Sequence, residues 1–195
     1  MKNIVIFASG TGSNFQAIVD AVEDEKIKAS VCGLLVNNAK AYAVKRAKKH
    51  GIPHTVLNPR DFTDKEQYAQ IMLQQLVQWK PDLIVLAGYL LKVPEKVVNT
   101  YAGNIINIHP SLLPKYSGKG FYGINVHQAV LESGDDETGC TVHVVDNIYD
   151  NGPIISQVRV PVHKSDKAGD ISERVRKKEL EILPKIVASI INTSD

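Results

Sequence analysis

The feature that most constrains this chain is the regular alternation, from Asn3 to Ile108, of short β-branched runs with longer amphipathic stretches. Asn3 to Ala8, Ser30 to Val36, Pro53 to Leu57, Asp82 to Ala87 and Asn104 to Ile108 read as strands. Between them, Phe15 to Glu23 has helical spacing at Phe15, Ile18, Val19 and Val22, and Ala41 to His50 is helical until Gly51 and Pro53 stop it. Thr63 to Trp79 carries Tyr68, Ile71, Met72, Leu76 and Trp79 at helical spacing, and Pro94 opens a short helix to about Tyr101. Strand–helix repetition of this kind predicts a parallel sheet covered on both faces. The fourth run is wholly apolar from Leu83 to Ala87, which predicts a central position.

The later residues follow another pattern. Gly123 to Glu132 reads as a helix, Gly139 to Val145 and Pro153 to Val160 as strands, and Ile171 to Ile191 as a closing helix. The short link between those two strands predicts an antiparallel addition at one sheet edge. The chain has 195 residues, enough for one ample core, and shows no repeat or linker. The expected fold class is therefore α/β, a single doubly wound, mostly parallel sheet with an antiparallel edge, with residues 1–195 as one domain.

A net charge of +2 gives nucleic acid and anionic membranes no global electrostatic hold, though a local anion site is compatible with it. No apolar run is long enough to span a bilayer, and the start reaches polar Ser9 too soon for a secretory segment. A cytoplasmic protein is expected, monomeric or weakly homodimeric, with Cys32 and Cys140 as reduced core thiols.

The first strand-to-helix turn is Gly10-Thr11-Gly12-Ser13-Asn14. Glycines let backbone approach an anion, and a helix N-terminus offers unpaired N–H groups. A dinucleotide fingerprint would need glycine where Phe15 stands and an acid where Asn37 and Asn38 end the second strand. Nicotinamide cofactors are thus not expected, and no Walker lysine follows. Two readings remain: a single-phosphate site with Ser13 and Asn14 contributing, or a tight turn with Ser13 as helix cap.

Ligands of open α/β sheets gather beyond the carboxyl ends of the strands. The fifth strand delivers Asn107 and His109 there, two residues apart and so on one face, with Pro110 ending the strand and Pro114 stiffening the loop. An amide N–H beside an imidazolium N–H is what a developing oxyanion requires. Asp150, in the turn Tyr149-Asp150-Asn151-Gly152-Pro153, can hold His109 protonated; Asp146 is a competing carboxylate. Cys140 and His143 are three apart in a strand and so face opposite sides, and no cluster has metal-ligand spacing. Ser111 lacks a nucleophile elbow, and Arg174 to Lys178 reads as a solvated helix face.

With these residues in view, the chain resembles the phosphoribosylglycinamide formyltransferases almost end to end. The likeness rests on the Gly10-to-Asn14 turn, Leu86-Ala87-Gly88-Tyr89, Asn107-Ile108-His109-Pro110-Ser111-Leu112-Leu113-Pro114, and Asp150-Asn151-Gly152-Pro153-Ile154-Ile155. The resemblance implies a Rossmann-like formyltransferase fold, with 5-phosphoribosylglycinamide as acceptor and 10-formyltetrahydrofolate as donor. It implies acceptor contacts at Gly12, Ser13, Asn14, Arg176 and Glu179. It places the folate donor along Leu90, Leu91, Lys92 and Val93 and the Asp146 to Asp150 loop, with Asn107 and Lys65 as further contacts. Asn107, His109 and Asp150 match the family's catalytic residues, making Asp150 rather than Asp146 the partner of His109.

In that reading the glycinamide amine attacks the formyl carbon, Asn107 and protonated His109 stabilise the oxyanion, and no covalent enzyme intermediate forms. Leu91 stands where the family often has a basic residue, with Lys92 one place later, so folate contacts there rest on backbone groups. The Lys119 to Gly123 stretch is longer than in some members. The alternatives are a formyltetrahydrofolate hydrolase, a methionyl-tRNA formyltransferase, each expected to need a further segment, and a non-catalytic phosphate-binding module, which leaves Asn107, His109 and Asp150 unexplained.

Overall fold

A computed structural model describes residues 1–193. Seven strands, β1 (Lys2–Ala8), β2 (Ala29–Val36), β3 (His54–Val56), β4 (Leu83–Leu86), β5 (Ile105–His109), β6 (Glu137–Val144) and β7 (Ile154–Pro161), lie in one sheet. Their spatial order is β3-β2-β1-β4-β5-β6-β7, so the wholly apolar β4 is indeed the middle strand. Strands β1 to β5 pair in parallel, whereas β6 pairs antiparallel with both β5 and β7. The expected antiparallel edge is therefore a two-strand hairpin closing one side.

Six helices, α1 (Ser13–Glu23), α2 (Tyr42–Lys49), α3 (Lys65–Trp79), α4 (Glu95–Thr100), α5 (Ile124–Ser133) and α6 (Ala168–Asn192), supply the layers. The period of two in β1 divides its side chains between them. Ile4 and Ile6 enter the core that also holds Phe15, Ile18, Val130, Val175 and Leu183, while Val5 and Phe7 enter the core with Tyr68, Met72, Leu76 and Val97. All four β1 residues are fully buried, each removal from water being worth about 1.5–3 kcal/mol.

Helix boundaries differ from the apolar spacing where capping chemistry outweighs it. α3 starts at Lys65 rather than Thr63 because the Asp64 side chain accepts from Gln67 N at 2.7 Å. α6 starts before Ile171 because Asp170 accepts from Lys167 N at 2.8 Å, closing the first turn. Cys140 is a buried core thiol, but Cys32 is only half-buried. The β1–β2 register jumps from Ile4↔Val31 to Val5↔Gly33, leaving Cys32 at a bulge, where its thiol donates to the Trp79 carbonyl at 3.3 Å.

Candidate active site

Residue pattern places the reactive groups through β5. Ile106 and Ile108 point into the core, so Asn107 and His109 face the opposite way, at the strand's carboxyl end. They meet a cleft of about 560 Å³ that runs from the first turn, past β5, to the loop between β6 and β7. This follows from topology: the carboxyl ends of β1, β4 and β5 open on the same side.

Asn107 lies directly across the β5–β6 ladder from His143. The His143 Nδ1–H donates to the Val144 carbonyl at 2.9 Å, leaving Nε2 as an acceptor. Nε2 then accepts from the Asn107 amide at 3.1 Å, which orients that amide and leaves its second N–H for a ligand. Burial holds His143 below the ordinary histidine range, so the neutral form needed for this bond persists at pH 7. Spacing along β6 sets His143 aside because it cannot pair with Cys140. Cys140 does face the core, but the antiparallel register gives His143 another role.

His109 is 4% exposed, and both its ring nitrogens face oxygens. Its Nε2–H donates to the Tyr116 carbonyl at 2.8 Å, and Nδ1 lies 3.5 Å from Asp150 Oδ1. Each ring nitrogen of His109 thus has an oxygen within reach. Asp150 sits at φ +53°, a left-handed conformation tolerated by aspartate, and its other oxygen accepts from Gly118 N at 2.9 Å. Asp146 has a different duty. Its oxygens accept from Ile148 N at 2.8 Å and from the Asn151 amide at 2.9 Å, so it shapes the loop that presents Asp150.

The segment after β5 is tied down from β6 and β7. Thr141 Oγ1 donates to the Ser111 carbonyl at 2.7 Å and accepts from Leu113 N at 3.1 Å, while Gln157 Nε2 donates to the Leu113 carbonyl at 2.9 Å. Beyond it, Gly118 to Gly123 line the cleft, and the segment meets His109 through the Tyr116 carbonyl and Asp150 through Gly118 N.

At the other end of the cleft, Gly12 rather than Ser13 caps α1, so the side-chain cap reading does not hold. Gly12 has φ +68°, and a Cβ there would lie 2.7 Å from Ala43 Cβ; close packing of α2 requires this glycine. A methyl group on Gly10 would meet no atom within 4 Å, so open space lies over the turn. The turn is held from behind by Ala43 N donating to the Gly10 carbonyl at 3.2 Å and Arg46 Nε to the Thr11 carbonyl at 3.0 Å. No acidic side chain occupies the first turn of α1, so its N–H groups and dipole face the cleft uncompensated.

Asn14 is buried, donates to Glu179 at 3.1 Å, and its Oδ1 has no partner among the described residues. Burial pushes the Glu179 carboxyl up to about 7, with the Asn14 amide and nearby Arg176 pulling it back. Around it the charge run divides. Arg174 pairs with Asp166, Lys177 with Glu173 and Lys178 with Glu181, while Arg176 lines the cleft.

The cleft thus unites the expected Gly12, Ser13, Asn14, Arg176 and Glu179 with Asn107, His109 and Asp150. Leu90, Leu91, Lys92, Val93 and Asp146 line its other arm, where Lys92 lies 5.7 Å from the Tyr149 ring centre. Lys65 is the exception. It is exposed at the start of α3 and is not part of the lining. Among the described residues no group of three or more His, Cys, Asp or Glu side chains is arranged to hold a metal ion, and no helix is long and apolar enough to cross a membrane.

An amide and a carboxylate-backed imidazole at a strand end thus face a glycine-rich helix N-terminus across one cleft. The chain belongs to the formyl transferase family, whose model matches residues 2–187. Within it the chain stands with the phosphoribosylglycinamide formyltransferases. It is 40% identical to the Escherichia coli enzyme of that name over 186 residues, covering 95% of this chain and 85% of that protein. The Haemophilus influenzae enzyme is 38% identical over 187 residues, covering 96% and 86%. The crystal structure of phosphoribosylglycinamide formyltransferase from Bacillus halodurans superposes with a TM-score of 0.93 at 32% identity, covering 100% of this chain and 97% of that one.

Proposed function

We propose that residues 1–195 form one catalytic domain that transfers the formyl group of 10-formyltetrahydrofolate to the amine of 5-phosphoribosylglycinamide. The products are formylglycinamide ribonucleotide and tetrahydrofolate, a step of purine biosynthesis. The observation that carries this reading is the presence, in one cleft, of the Gly10-to-Asn14 turn and the Asn107–His109–Asp150 group.

The acceptor phosphate lies on the N–H groups of Gly12, Ser13 and Asn14, with Arg176 adding charge and Glu179 meeting the ribose. The donor's fused ring suits the arm lined by Leu91, Val93, Val98 and Val145, an apolar slot with Asp146 at its rim. The donor supplies an activated formyl carbon. Asn107 offers its second amide N–H to the formyl oxygen, and His109 offers Nε2–H once that oxygen replaces the Tyr116 carbonyl. As the amine attacks, charge builds on this oxygen between two preorganised donors. Asp150 keeps the imidazole oriented and balances its charge, and His109 relays the proton lost by the amine toward the departing folate nitrogen.

Tetrahydrofolate release measured with and without phosphoribosylglycinamide tests the proposal. Release that depends on the amine is expected. Release with water alone would point instead to a formyltetrahydrofolate hydrolase, which can use the same three residues.

A further inference from the structure

Among the described residues three imidazoles line the cleft, and two are fully engaged. His109 has the Tyr116 carbonyl and Asp150, and His143 has the Val144 carbonyl and Asn107. The third, His127 on α5, is 3% exposed, and its buried Nδ1 has no hydrogen-bond partner among the described residues. A buried ring nitrogen left unpaired costs about 1–3 kcal/mol, and because His127 lines the cleft, a ligand bound there can supply the missing partner.

The fold says which ligand. α5 packs against α6, which carries Arg176 and Glu179, and Val130 of α5 shares a core with Val175 of α6. The donor arm belongs to the other face of the sheet, where Leu86, Tyr89 and Val93 share the opposite core. His127 therefore stands on the acceptor side of the cleft, which it lines together with His109.

We infer that His127 is a further substrate-contacting residue: its ring nitrogen hydrogen-bonds the polar group next to the acceptor's amine and holds that amine in line with the formyl carbon. This rests on the proposed function and adds a residue that no motif in the sequence singles out. Burial and the neighbouring His109 hold His127 down at about 4, so it contributes a hydrogen bond as a neutral ring. The contact takes part in no covalent step; it spends its interaction on orientation.

The test compares His127→Phe and His127→Asn with the unsubstituted chain in steady-state kinetics, calorimetric binding of phosphoribosylglycinamide, and thermal melting. For His127→Phe the expected result is an acceptor KM and Kd raised about tenfold, the loss of one hydrogen bond, with donor KM within about twofold. Its melting temperature should stay level or rise, since an unpaired polar atom has gone. His127→Asn, which keeps a polar atom near Nδ1, should recover much of the acceptor affinity. Unchanged acceptor binding in both variants, or equal rises in the KM of donor and acceptor, would overturn the inference while leaving the proposed function intact. If His127→Phe fails to fold, acceptor affinity in His127→Asn that is no better than in His127→Ala overturns it instead. An unsubstituted chain without formyl transfer would overturn both.

Discussion

Asn107 and His143 face each other across two antiparallel strands, and the amide donates to His143 Nε2 at 3.1 Å. The orientation of the proposed oxyanion donor is therefore set by a neutral histidine, whose tautomer is in turn set by the Val144 carbonyl. A chain of this kind fixes direction rather than supplying charge.

Replacing His143 with leucine should free the amide to rotate. We expect kcat to fall about 10- to 100-fold, less than the cost of losing an oxyanion donor outright, with both KM values within about twofold. Steady-state kinetics with each substrate varied would check this.

His109→Ala and Asp150→Ala should each nearly abolish formyl transfer, by about 100-fold or more, while phosphoribosylglycinamide still binds. Calorimetry separates binding from turnover. Near-normal turnover in either variant would remove these residues from the chemistry.

Gly12→Ala must accept φ +68° and a methyl 2.7 Å from Ala43 Cβ and 2.9 Å from its Cα. We expect a loss of about 1–3 kcal/mol, read from urea unfolding, together with weaker acceptor binding as the turn shifts. A variant as stable as the parent would mean that α2 can retreat from the turn.

Glu179 gives a pH signature. Its folded value of about 7 exceeds the ordinary 4.5, so between those values the native state holds a proton that the unfolded state has released. Its contribution to stability is therefore full below 4.5, declines as pH rises, and is lost above about 7. Glu179→Gln removes the titration. Unfolding measured from pH 4.5 to 8 should show the variant gaining on the parent as pH increases, and parallel curves would count against the shifted carboxyl.

The parallel half of the sheet was legible because each strand carries a short apolar run and each helix a repeating apolar face. The central place of β4 followed from having no polar residue to expose. Asn107 and His109 were legible for a related reason, since a period of two fixes which residues share a face. His143 was not, because its role depends on the pairing of residues 36 apart, which neither strand states alone. His127 was hidden likewise, since nothing in α5 tells that its neighbour will be a cleft rather than core. Lys65 is expected at the donor site through resemblance alone, and at the first turn of α3 it lies outside the lining.

The hairpin at the sheet edge turns alignment into a chemical variable. A one-residue slip of β6 would swing His143 into the apolar layer and set a valine opposite the Asn107 amide. Gly139, where any side chain would strike the Val158 carbonyl, and the bulge opposite His143 lock β6 against β7. None of the residues of β7 lines the cleft, yet that strand serves as its gauge. Insertions or deletions there should appear as silent but folded protein, a defect of measurement rather than of strength.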